Sequence, residues 1–525
     1  MPRTRPRSAG LPPPTVLVPS LVIVAATLLP LGYLVFRAAG ASGGLWSYLL
    51  RARSLQAVAT TLLLAFSVTT FSLFVALPVA WLTLRTRLPG RRLWFVLTML
   101  PLVIPTYVGS FALVSAFATG GLLDRAFGVA LPDVYGFGGA LAVLTLFTYP
   151  YMLLALRAGL RGLDPSLEEA ARSLGYSPLR TFFAVTLPHL RPAVAAGALL
   201  VSLYVMADFG AVAMLRVDTL TRSIYVQYGG SFNRSNAAAL GLVLVGLVGT
   251  TMLVDLWVRG RSRLVRTGAG AARPARPHRL GVWAVPAGLF LGLLVAVALA
   301  APLAVIGVWL ARGLASGVGV GLEWTPLFNA LRVSLAAALV ATLAALPVAV
   351  LSVRYPSRLS GALERLTYVG YALPGLVVAL ALVFFGARYA PALYQTEALL
   401  VFAYTLHFLP QALGTVRTSL LKVNPHLEEA ARGLGRSPWG VLTGVTVPLV
   451  RSGVLTGAAL VFLTTMKELP ATLLLGPTGF DTLATRIWSW TEEAFFAQAA
   501  PYCFVLIAAS SVSLAILLAY ERDTA

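Results

Sequence analysis

DPSLEEAARSLGYSPLRTFFAVTLP, from Asp164 to Pro188, returns as NPHLEEAARGLGRSPWGVLTGVTVP from Asn424 to Pro448. Glu169 aligns with Glu429, Gly175 with Gly435 and Pro188 with Pro448, each at a separation of 260 residues. A second block, ALPVAWLTLR from Ala76, recurs as ALPVAVLSVR from Ala345 at a separation of 269. The difference of nine residues falls between the two blocks and fits a longer outer loop in the first half, where Gly120, Gly121, Pro132 and Gly136 lie. The chain is therefore two copies of one unit, and everything else in it is read against that repeat.

Both copies carry the same helix punctuation. Asp164-Pro165 and Asn424-Pro425 set a capping side chain before a proline at the first helical position. Gly175 and Gly435 end that short helix, and Ser177-Pro178 and Ser437-Pro438 start a second one. On the first helix Leu167, Ala170, Ala171 and Leu174 share a face at i, i+3, i+4 and i+7, with Glu168, Glu169 and Arg172 projecting elsewhere. The second copy repeats this with Glu428, Glu429, Ala430 and Ala431. A passive amphipathic connector resting on a membrane surface is one reading. Identical spacing in both copies favours another: small alanines admit a second surface, and the paired glutamates offer carboxylates to a basic partner.

The flanking sequence places these elements at a membrane. Of 525 residues 58% are hydrophobic and 11% charged, far below the share of about 25% charged usual for soluble domains. Continuous apolar runs long enough for a bilayer core of roughly 30 Å recur along the chain. Twelve are read, at 15–36, 58–83, 94–118, 139–156, 193–214, 236–258, 282–310, 329–352, 367–387, 395–416, 453–475 and 499–520. The expected fold class is all-α and polytopic, with six spans in each of two parallel repeats, because a spanning backbone must satisfy its own hydrogen bonds. The net charge of +21 follows topology, not nucleic acid: 28 of the 40 Lys and Arg residues fall in the termini and the loops of one side. Arg3, Arg5 and Arg7 precede the first span, and seven arginines lie between Arg259 and Arg279, so both termini are expected in the cytoplasm.

The domain organisation expected is an arm and extra first helix over 1–54, a first repeat unit over 55–258, a basic linker over 259–281, a seventh helix with its outer loop over 282–326, and a second repeat unit over 327–521. The first apolar run exceeds a typical signal core and is read as an uncleaved helix. Cys503, the single cysteine, is read as core filler.

The spacing from Glu169 through Ala170, Ala171 and Gly175 to Pro188, matched from Glu429 to Pro448, resembles the EAA loop of binding-protein-dependent ABC importer permeases. That resemblance covers essentially the whole chain and implies two fused permease domains of the type I importer fold in a bacterial inner membrane. It further implies coupling roles for Glu168, Glu169, Ala170, Ala171 and Gly175 and for Glu428, Glu429, Ala430, Ala431 and Gly435, two copies of a separate ATPase subunit, and an outer substrate-binding protein. Lys422 is followed by Val423 and Lys467 by Glu468, so neither lysine begins the Lys-Ser/Thr pair of a phosphate-binding P-loop. ATP and magnesium are accordingly expected on the partner, with no cofactor and no metal centre on this chain.

Ionisable residues inside spans are costly and mark function. Asp208 in MADFGA and Lys467-Glu468 in MKELPA are the three candidates for a translocation pathway, and the shift of 260 places Asp208 on Glu468 and Gly210 on Pro470. Lys467 either knits the halves by neutralising an acid, Asp208 among the choices, or tunes a cavity. Pro101, Pro105 and Pro374 are read as kinks; His189, His407 and His426 show no metal-ligand spacing. DFGAV at Asp208, KELPATLLL at Lys467 and DTLATRIW at Asp481 resemble fused permeases of ferric-iron importers, with thiamine, polyamine, sulfate, molybdate and phosphonate permeases as relatives of similar architecture. An ion-coupled secondary transporter would use the same membrane charges but leaves the duplicated cytoplasmic element unexplained, and no nucleophile-base pair points to an intramembrane enzyme.

Overall fold

The computed structural model describes residues 12–39, 45–119, 121–128, 134–230, 234–260, 277–317 and 321–523. The basic arm with Arg3, Arg5 and Arg7, and most of the 259–281 linker, lie outside the described residues. Within them the chain is helical, with one isolated bridge, Thr86 to His278, as its only β pairing.

Each repeat is organised around the same three helices. Ala52–Arg85 packs against Phe137–Arg161, and Arg191–Ala207 lies on both. Trp324–Arg354, Glu397–Lys422 and Val447–Thr465 repeat the arrangement. Two equivalent glycines set the approach: a Cβ on Gly197 would meet Met152 Cα at 3.1 Å, and one on Gly457 would meet Ala412 Cα at 3.2 Å. Both pairs are related by the shift of 260, and small residues at such crossings let helices pack tightly where the hydrophobic effect cannot drive them together.

Among the described residues nine helices are long and apolar enough to cross a membrane, or ten if Phe182–His189 and Arg191–Ala207, bent by 56°, form one span. Gly375–Tyr389 and Phe496–Val512 are apolar but shorter, so the expected twelve are not reached by that measure. The shortfall has a physical cause. Four expected spans are interrupted, at Leu100–Pro105, Asp208–Phe209, Leu373–Pro374 and Met466–Leu469. Pro105 and Pro374 each cap the helix that follows with extended backbone, so the expected kinks are complete breaks.

The leading helices are exchanged. Pro14–Ala39 packs on Trp324–Arg354, Arg358–Thr367 and Gly375–Tyr389 of the second half, and Tyr33 Oη donates to Phe384 O at 3.3 Å. Conversely, Ala284–Val295 packs on Arg91–Met99 and Ala301–Ala315 on Thr106–Phe117 of the first half. Outward-facing Phe66, Leu289 and Leu335 remain exposed, as a lipid-facing surface requires.

Candidate functional site

The repeated segment folds as its punctuation demands. Asp164 accepts from the Ser166 N–H at 3.0 Å, a bond that holds its carboxyl below the ordinary range, and Asn424 accepts from the His426 N–H at 3.1 Å. The helices Pro165–Ser173 and Pro425–Gly433 then close at Gly175 and Gly435, whose φ values are +84° and +83°. Paired end bonds finish each copy: Gly175 and Tyr176 N–H donate to Arg172 and Ala171 carbonyls, as Gly435 and Arg436 do to Arg432 and Ala431.

The expected division of faces is corrected by packing. Glu168 and Glu428 do not project outward; they are 4% and 5% exposed and turn into the bundle. Thr186 Oγ1 donates to Glu168 at 3.0 Å and Thr446 Oγ1 to Glu428 at 2.9 Å, both from π-helical turns that open the following helix. Arg85 lies 3.8 Å from Glu168, and Arg354 lies 2.9 Å from Glu428. The same arginines donate to the carbonyls of Leu160 and Val423. One glutamate of each pair is thus an anchor that ties the short helix to the membrane bundle. Ala171 and Ala431 face inward with it, whereas Glu169, Glu429, Ala170 and Ala430 stay exposed. Leu174 and Leu434, 79% and 86% exposed, stand beside the bends as apolar knobs.

Arg85, Arg354, Thr186 and Thr446 were not singled out by sequence reasoning. Their signal was present, since Arg85 and Arg354 end the second repeated block, and Thr186 and Thr446 lie in the repeated VTLP and VTVP.

Only the first copy also carries the returning linker. The His278 N–H donates to Arg85 O and His278 O accepts from the Arg87 N–H, both at 2.8 Å. The imidazole stacks on Trp81 with ring centres 6.1 Å apart. Burial first, then Arg172 and Arg85 against an opposing pull from Glu168, lowers its pKa. Pro277, His278 and Arg279 close a cleft of about 450 Å³ with Arg87, Glu169 and Arg172.

The three membrane charges sit at the interruptions. Asp208 accepts from the Ala211 N–H at 3.0 Å and from Thr106 Oγ1 at 2.5 Å, so it caps the short helix Gly210–Met214. Glu468 accepts from the Ala471 N–H at 3.1 Å and caps Pro470–Leu475 in the same way. Thr106 corresponds to Gly375 by the shift of 269, and a Cβ on Gly375 would meet Glu468 Oε1 at 2.7 Å. The first half thus uses a short acid and a hydroxyl where the second uses a longer acid and a glycine. Phe209 and Lys467, the chain neighbours of the two acids, each touch the opposite half, which puts both breaks at the seam between the halves.

Lys467 does not meet an acid. Its Nζ donates to Leu102 O at 3.5 Å, and among the described residues no ion pair joins it to Asp208 or Glu468. Of the two readings open for Lys467, the neutralising pair is not formed; in its place a contact runs from one half to the interrupted helix of the other, where Leu102 precedes a break and its carbonyl lacks a regular helical donor. Phe209 adds a second seam contact, its ring centre 5.3 Å from that of Trp488. Cys503 is buried and unpaired, and among the described residues no group of three His, Cys, Asp or Glu side chains could hold a metal.

Parallel repeats of interrupted apolar helices, each bearing a rigidly anchored surface helix on one side, define a polytopic membrane protein of the permease class. Residues 76–264 and 339–522 match the family described as binding-protein-dependent transport system inner membrane component, and the chain belongs to that family. It is 34% identical over 476 residues, 90% of this chain and 91% of the relative, to the Fe(3+)-transport system permease protein FbpB 2 of Haemophilus influenzae. The ferric transport system permease protein FbpB of Actinobacillus pleuropneumoniae is 24% identical over 86% of the chain and 68% of its own length. The molybdenum transport system permease protein ModB of Escherichia coli K12 is 31% identical over 40% of this chain but 94% of its own length, so a protein about the size of one half is matched nearly whole.

Proposed function

We propose that this chain is the translocation subunit of an ATP-driven importer for iron(III), energised by two copies of a separate ATPase docked under Pro165–Ser173 and Pro425–Gly433. The observation that carries the reading is the paired surface helices, each locked to the bundle through Glu168 or Glu428 and each presenting an exposed leucine beside a fixed bend. A rigid anchor with an apolar knob transmits a push from a partner to the membrane helices; a passive connector needs neither. The ATPase would hold ATP and magnesium, a binding protein on the outer side would deliver cargo, and both termini would face the cytoplasm with the coupling helices.

Iron(III) as cargo is supported by the full-length likeness to the Haemophilus influenzae permease, against likeness over less than half the chain for the molybdenum permease. Asp208 and Glu468 would then line the pathway with hard oxygen donors. Their single carboxylates at opposite helix breaks make a passing contact, not a permanent cage. Secondary transport coupled to these charges would leave the anchored surface helices without a role.

Proteoliposomes containing this chain, its ATPase and its binding protein should accumulate iron only with ATP. Gly175→Pro with Gly435→Pro should keep ATP hydrolysis and lose import at least tenfold, because proline cannot adopt φ near +84°. Import that persists without the ATPase, or that is unchanged in the double variant, rejects the coupling assignment. Molybdate uptake in place of iron rejects the cargo.

A further inference from the structure

The loop joining Ala52–Arg85 to Arg91–Met99 is unlike its counterpart. It reads RTRLPGRRLW from Arg85, while the positions 269 residues later read RYPSRLSGAL from Arg354. In the second half Ser357 and Ser360 close a capping box on Arg358–Thr367 and satisfy that helix end internally. In the first half Gly90 stands at the helix start with φ +68° and no side-chain cap, and Arg91 and Arg92 replace the serine and glycine. Arg87, Leu88, Gly90, Arg91, Arg92 and Pro277 line an open cleft of about 560 Å³. The paired backbone of Thr86 and His278 fixes its wall, so the cleft is built before any ligand arrives.

Three exposed arginines in this cleft, and Arg279 beside it, have no carboxylate within ion-pair distance among the described residues. The residues that line it include no acid. The Arg85–Glu168 contact puts it on the same side of the membrane as the surface helices. Immediately beyond it the chain turns apolar and stays exposed: Leu93 is 62% exposed on Arg91–Met99, and Val282 86% and Trp283 70% on the 3-10 turn Gly281–Trp283, which leads into Ala284–Val295, the helix packed on Arg91–Met99. A cationic pocket opening onto an exposed apolar strip has the amphipathic order of a phospholipid, phosphate first and acyl chain after.

We propose that the cleft of Arg87, Arg91 and Arg92 binds the phosphate of an anionic phospholipid, whose acyl chains lie along Leu93, Val282 and Trp283. Guanidinium groups recognise phosphate oxygens in bidentate fashion, and the uncapped helix start adds free N–H donors to the same anion. The site belongs to the first half alone. A lipid held there touches the loop that pairs with His278 and so braces the linker against the first surface helix.

The full chain purified in a zwitterionic detergent and titrated with phosphatidylglycerol should retain the lipid in native mass spectrometry. Arg91→Gln with Arg92→Gln should weaken retention about tenfold or more, since two of the three arginines that line the cleft are then lost. Arg358→Gln, in the corresponding loop of the second half, should leave it unchanged. Equal retention by the double variant, with thermal unfolding and gel-filtration profiles matching the parent, overturns the proposal. Saturable binding of inorganic phosphate that depends on Arg91 and Arg92, without retention of phosphatidylglycerol, overturns the lipid assignment.

Discussion

The two surface helices are near copies in sequence and differ in how they are held. In the second half Arg354 reaches Glu428 at 2.9 Å, and the short helix hangs from that pair and from Thr446. In the first half Arg85 stands 3.8 Å from Glu168, yet its backbone carbonyl accepts from the His278 N–H, in a bridge that walls the same carboxylate. One copy is held by a direct ion pair, the other by a looser pair and a strap of linker. Two equivalent mechanical parts can therefore respond unequally to the same push.

Truncating the anchors gives the widest separation between the copies. Glu428→Ala leaves the half-buried Arg354 without its carboxylate, and breaking a fully buried pair, which costs about 3–5 kcal/mol, sets the upper bound. Import and thermal stability should both fall sharply in Glu428→Ala and less in Glu168→Ala, where the pair is already long. Identical losses in the two variants would show that the strap adds nothing.

A smaller effect is expected at the seam, where the halves solve one problem with different side chains. Gly375→Thr should disrupt the second half by crowding Glu468, at about 1–3 kcal/mol for overpacking, and Glu468→Asp should rescue it by rebuilding the Asp208–Thr106 arrangement. Uptake assays on the single and double variants measure this directly. Absence of rescue would mean that the two breaks are not interchangeable.

The smallest expected effect separates the copies by pH. His278 has a folded-state pKa below its usual 6.5, so the neutral ring is the form the docked linker favours. Its stabilising contribution is complete above about 6.5 and is lost as pH falls through the lower, folded value, because protonation then places a cation beside Arg85 and Arg172. Protease cleavage near Pro277 should quicken modestly on acidification, and His278→Gln should flatten that response. A pH response unchanged in the variant would assign the titration to another group.

The local features of the fold were legible because their causes are local. Asp164-Pro165 and Gly175 carry their own start and stop signals, and the repeat exposed them twice. The inward turn of Glu168 was hidden, since it depends on Arg85, distant in sequence, and on a π-helical turn that brings Thr186 round to it. Hydropathy read the interrupted helices as continuous because one broken residue pair, such as Asp208–Phe209, barely alters an apolar window. The reach of Lys467 to Leu102 joins opposite halves, and no pattern within one half encodes it.

The exchanged leading helices impose an order on biosynthesis. Pro14–Ala39 enters the bilayer long before most of its docking surface exists, since 284 residues lie between Ala39 and Trp324. At about 5–20 residues per second, a ribosome takes on the order of half a minute to supply them. During that interval lipid must shelter the faces of the helix that later touch the second half. In a crowded membrane a neighbouring nascent chain offers the same surface, so intertwined dimers are the characteristic assembly error of this architecture.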